Sequence, residues 1–131
     1  MGEFVQVVAK WRSSIVTLAG CDTEKLRKKA EAITASNPKI LVRQLEFDLE
    51  SLGKVKEAAK ALNSWTDVPV VDVFVHSAVI MAVNYAATVD GFEQQFAVNH
   101  LATFFFTDLI MDKILVSKES QIVIAGSSVH R

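Results

Sequence analysis

Ile15-Val16-Thr17-Leu18-Ala19-Gly20-Cys21-Asp22-Thr23 is a short apolar run, rich in β-branched residues, that stops at a glycine and passes at once into helix-capping residues. Such a run suits a buried strand. Asp22 and Thr23, placed ahead of Leu26, Ala30 and Ile33, start an amphipathic helix, and Asn37-Pro38 ends it. Strand, tight turn and helix in that order are the opening of a β-α-β unit.

The same alternation continues outward in both directions. Ile40 to Phe47 reads as a second strand and Ser51 to Trp65 as a helix with Leu52, Val55, Ala58, Ala59 and Leu62 on its apolar face. Val70 to Val75 follows as a strand behind a turn at Asp67 and Pro69. A long helix is predicted from Val89 to about Leu115, opened by Asp90-Gly91-Phe92-Glu93, and Gln121 to Ala125 is the last strand. Upstream, Phe4, Val7, Val8 and Trp11 stand at i, i+3, i+4 and i+7 and predict one more helix. Short apolar strands separated by helices predict an α/β fold: a three-layer sandwich with a parallel sheet of about four strands, right-handed crossovers and helices on both faces. No repeat and no Pro-, Gly- or Ser-rich linker interrupts residues 1–131, which read as one domain.

Composition narrows the function classes. The chain has 131 residues, 50% hydrophobic and 22% charged, which is enough to bury a core without disulfides or a structural metal. Its 14 basic and 15 acidic side chains leave no basic excess for a nucleic acid, so no such partner is expected. Cys21 is the single cysteine and cannot form an internal bridge, which points to a reducing, cytoplasmic setting. The most apolar stretch, Val73 to Val89, is too short and too polar for a spanning helix, so no membrane is expected. His76, His100 and His130 lack ligand spacing, and no metal is expected either.

Candidate chemistry gathers at strand ends. His76 and Ser77 close one strand; Ser127, Ser128 and His130 close the next. All would meet at the carboxyl edge of the sheet, where open α/β sheets bind ligands. An imidazole there could serve as general acid or base on a small organic substrate, in an isomerisation, dehydration or cyclisation. The plain alternative is a structural or solvent-facing histidine. Ala125-Gly126-Ser127-Ser128-Val129 lacks the second glycine of a nucleophile elbow, so serine is not read as a nucleophile. On the long helix Phe96, Leu101, Phe104, Phe105, Leu109 and Ile110 cover more circumference than one sheet face requires, which fits either core packing or a dimer face.

Asp90-Gly91-Phe92-Glu93-Gln94-Gln95-Phe96-Ala97-Val98-Asn99-His100-Leu101 resembles the short-chain dehydrogenase/reductase family, its retinol-dehydrogenase-like branch in particular. In register with it, Val71 to Val75 looks like the family's fourth strand, Glu46-Phe47-Asp48-Leu49 like the acidic end of the third, and Gln121-Ile122-Val123 through His130 like the fifth strand and its serine turn. The resemblance implies a nucleotide-binding sheet and hydride transfer between a nicotinamide cofactor and an alcohol or carbonyl. It assigns Asn99 to a proton-relay water, Ser127 to the substrate oxygen and Asp48 to the adenine ring.

Departures from the family pattern are equally specific. The five glycines lie too far apart for a phosphate loop, and the chain opens at the helix that would follow that loop. Tyr85 is followed four positions on by Val89 rather than lysine, and His76-Ser77-Ala78-Val79 stands where the family has Asn-Asn-Ala-Gly. Hydride transfer is therefore expected to be lost. No cofactor is expected, with NAD(P), touched by Asp48, only if the resemblance carries over. The leading expectation is a redox-neutral enzyme with His76, Asn99 and Ser127 as catalytic residues and Ser77, Tyr85, Ser128 and His130 lining the substrate site. A non-catalytic dimerising or regulatory module is one alternative. A fragment or remnant of an NAD(P)-dependent alcohol or carbonyl oxidoreductase is the other. Losing a central strand exposes sheet edges, so a homodimer or higher oligomer is expected.

Overall fold

A computed structural model of the chain describes residues 14–126. The expected first helix at Phe4–Trp11, and the sites Ser127, Ser128 and His130, lie outside the described residues. The fold is α/β, built from parallel strand pairs with helical crossovers, as the alternation predicts. The four strands form two separate two-stranded sheets, and the chain divides into two compact units, Met1–Asp48 and Leu49–Arg131.

In the first unit β1 (Ile15–Gly20) pairs in parallel with β2 (Leu41–Glu46), from Ile15 opposite Leu41 to Gly20 opposite Glu46. Helix α1 (Thr23–Ser36) makes the crossover. Asp22 caps it by accepting the Lys25 N–H at 3.0 Å, which satisfies one of the donors that a helix start leaves open. Leu26, Ala30 and Ile33, on the buried face of α1, join Leu18 and Ile40 in one core cluster, with Val16 and Val42 packed against it.

In the second unit β3 (Val73–His76) pairs in parallel with β4 (Gln121–Ile124). Ahead of β3 runs α2 (Leu52–Ser64), capped by Ser51. Its buried Val55, Ala58, Ala59 and Leu62 are the residues the helical periodicity picks out. The expected long helix is corrected in three places. It begins at Gln94 rather than Val89, as α3 (Gln94–Phe96) capped by Glu93. A π-wound segment, Ala97–Leu101, then leads into α4 (Ala102–Leu109). Ile110, at φ −105° and ψ 5°, ends α4, and α5 (Met111–Leu115) is a separate turn.

Tertiary hydrogen bonds explain these departures. Thr88 to Phe92 is a three-residue hairpin: the Gly91 N–H donates to the Thr88 carbonyl, the Thr88 N–H to the Phe92 carbonyl, and Gly91 takes φ +82°. That is the turn with a bulge glycine that three-residue loops favour. Asp90, at its tip, accepts the Leu52 N–H at 2.8 Å and so caps α2. Gln94 Nε2 donates to Glu50 Oε1 at 2.8 Å. At the far end Asn63 Nδ2 donates to the Leu109 carbonyl at the α4 break, and the Lys113 ammonium donates to the carbonyls of Trp65 and Val68. Alanines at the facing positions of α2 and α4 let the two helices pack closely, with Ala59 and Ala102 almost fully buried.

Candidate functional site

The carboxyl end of β3 and the loop that leaves it are where the sequence places its chemistry. His76 is the last residue of β3, and the Ala125 N–H donates to its carbonyl, so its backbone continues the ladder past β4. Strand parity puts its side chain on the same face as Phe74, whose ring lies 5.8 Å from that of Phe106 on α4. The imidazole therefore turns toward the helix. It is 5% exposed, and its Nε2 lies 2.7 Å from the Thr103 Oγ1, itself buried on α4. Burial holds His76 below the usual imidazole range, offset in part by a hydrogen bond to the Ala78 backbone. A neutral ring buried this way is placed to hold a strand end against a helix.

Asn99 lies in the π-wound segment, and its amide faces the loop. Its Nδ2 donates to the Ile80 carbonyl at 2.8 Å and its Oδ1 accepts the Ile80 N–H at 2.9 Å. Both functions of the amide are thus engaged by one peptide. The winding matters here, because π turns re-aim side chains and recur where a helix carries a functional residue. Ser77 and Asp48 are half-buried, and Tyr85 projects into solvent. Thr103, Asp90 and Ile80 escaped the sequence reading. For Thr103 the signal was available: it stands three residues ahead of Phe106, so both belong to one face of α4.

The glycines offer no phosphate cradle among the described residues. A Cβ added at Gly20, Gly53 or Gly126 would meet nothing nearer than 3.5 Å, and Gly91 is fixed by its turn. Residues 14–126 therefore do not by themselves fit the pyrophosphate of a dinucleotide. Nor do these residues contain a group of three or more His, Cys, Asp or Glu able to hold a metal ion.

Mouse retinol dehydrogenase 13 is 35% identical over 119 residues, covering 91% of this chain and 35% of its own. Zebrafish WW domain-containing oxidoreductase is 31% identical over 116 residues, covering 88% of this chain and 28% of its own. By sequence and by fold the chain belongs with the short-chain dehydrogenases/reductases. An uncharacterised protein from Mycobacterium paratuberculosis superposes at a TM-score of 0.71 with 32% identity, over 86% of this chain and 38% of that one. A short-chain dehydrogenase from Sphingobium yanoikuyae, solved in complex with NADPH, matches at a TM-score of 0.76 and 17% identity, over 96% of this chain and 48% of that one, and speaks for the fold alone. No family model matches the sequence. The chain spans about a third of the length of the curated short-chain dehydrogenase relatives it matches.

Proposed function

We propose that this chain serves NAD(P)-dependent oxidation or reduction of an alcohol or carbonyl, as the part of a short-chain dehydrogenase fold that carries the β3 edge and the loop behind it. The observation that carries the reading is the match to retinol dehydrogenases along 91% of the chain. On this reading Asn99 fixes the Ile80 peptide and so positions the loop at the strand edge, while the phosphate cradle and the proton donor come from residues other than 14–126. The redox-neutral alternative needs an imidazole that can reach a substrate. A His76 ring turned into the core against Thr103 favours the oxidoreductase.

The test is a chimera in which residues 14–126 replace the matching stretch of mouse retinol dehydrogenase 13, assayed for NADPH binding by calorimetry and for NADPH-dependent reduction of retinal. Binding and turnover support the proposal. A chimera that melts cooperatively yet binds no NADPH overturns it.

We also infer a homodimer through the helical stretch from Gln94 to Leu109. Phe96, His100 and Phe104 are exposed at spacings of four, and the rings of Phe96 and His100 lie 5.5 Å apart. Sedimentation of the chain is expected to give a dimer that Phe104→Lys splits. A wild-type monomer would refute the inference.

A further inference from the structure

The loop between β3 and α3 keeps its apolar side chains outside. From Val73 to Val89 no residue carries a formal charge. Within that run Val79, Met81, Val83 and Tyr85 alternate along the chain and all are exposed, with Val89 beyond them. An apolar segment free to move would fold these groups inward, since each one withdrawn from water gains about 1.5–3 kcal/mol. This segment is held at both ends. Asn99 clasps Ile80 on its amide and its carbonyl. At the other end the Gln94 N–H donates to the Ala86 carbonyl, Ala87 bridges Glu93, and Asp90 fastens the hairpin to Leu52. Between the clasps Ala82 takes φ 56°, a left-handed bend that costs a non-glycine residue about 1–2 kcal/mol.

We propose that this strap is a docking face for the surface of a lipid bilayer. Side chains that line a cleft for a small ligand are covered by the opposite wall. Here Met81 is 65% exposed and Tyr85 and Val89 are each 83% exposed, so they project. Projecting aliphatic groups beside a tyrosine match the acyl and headgroup levels of a membrane interface. No helix of the described residues is long and apolar enough to cross a membrane, which limits the contact to the surface. The strap itself carries no lysine or arginine, so the attraction is apolar and independent of anionic lipid. Docking stands apart from the oxidoreductase reading, because vesicle binding and NADPH binding are separate measurements.

The experiment is flotation of the 131-residue chain with phosphatidylcholine vesicles at low and high salt, alongside sedimentation without lipid. The wild-type chain is expected to float at both salt concentrations. Met81→Asp combined with Tyr85→Asp, both at exposed positions, is expected to lower partitioning at least about tenfold while leaving the thermal melt unchanged. Tyr85→Trp adds a direct readout: its emission shifts to the blue with vesicles, and Ile124→Asp on β4 leaves that shift intact. The proposal is overturned by a folded wild-type chain that stays with the lipid-free fraction, by binding lost at high salt, or by a double variant that floats as well as wild type. It is equally overturned if the double substitution splits a dimer while neither protein floats, which would make the strap a contact between copies.

Discussion

Thr103→Val tests the buried pair on which the placement of His76 rests. Valine nearly matches threonine in shape, so the substitution opens little cavity and removes chiefly the Oγ1. His76 Nε2 then loses its partner at 2.7 Å, and with His76 and Thr103 only 5% and 4% exposed, water cannot replace it. An orphaned buried polar atom costs about 1–3 kcal/mol. The longer contact from Oγ1 to the Val98 carbonyl, at 3.3 Å, is lost too, while the new methyl group returns about 0.8 kcal/mol. The expected net loss is about 1–2 kcal/mol, read by urea melts at pH 8. At about 4–8 °C per kcal/mol for a unit of this size, Tm falls by at least about 4 °C. In a His76→Leu background the same substitution should cost far less, because both polar partners are then gone. Equal losses in the two backgrounds would refute the coupling and, with it, the account of why His76 points inward.

Three further outcomes follow from the same geometry. His76 titrates below its ordinary value in the folded chain because burial disfavours its charge, so the unfolded chain takes up the proton first as pH falls. Stability should be level above the unfolded value near 6.5 and decline below it toward the folded value; urea midpoints from pH 8 to pH 5 check this, and His76→Gln should remove the histidine's share of the decline. Asn99→Ala breaks both bonds to Ile80 and should cost about 1–3 kcal/mol, with faster hydrogen exchange at the Ile80 amide as the local signature. Asp90→Ala removes the cap on the Leu52 N–H and should cost about 0.5–2 kcal/mol by thermal melt, whereas Asp90→Asn retains an acceptor and should cost less.

Local chemistry was legible wherever the deciding partners lie close in sequence. Asp22 and Ser51 cap the helices they precede, each through the N–H three residues on, and the apolar faces of α1 and α2 are those that period 3.6 selects. The stretch Asp90-Gly91-Phe92-Glu93 misled for the opposite reason. Its acidic residues read as a helix start, yet Asp90 serves a helix that begins 38 residues earlier, and only Glu93 caps its own. Nothing local distinguishes the two roles. His76 is a middle case: its place at a strand end was visible, but which way its ring turns depended on pairing it with Phe74 in strand parity and with Thr103 across α4. Asn99 likewise stood out in the sequence, while the peptide it clasps could be known only once the loop was traced.

Each parallel pair is closed by a crossover that stays inside its own unit: Cys21 to Ile40 for β1 with β2, and Ser77 to Ser120 for β3 with β4. In kinetic terms neither ladder has to wait for the other. Loop closure costs about 0.6 kcal/mol more for each doubling of length, so the shorter crossover meets its partner strand at the lower entropic barrier. The second ladder must order the strap, the hairpin and α4 before its strands can meet, and non-local pairing of that kind is slow. Pulse-labelling during refolding should therefore find the amides of Ile15 to Gly20 protected before those of Val73 to His76.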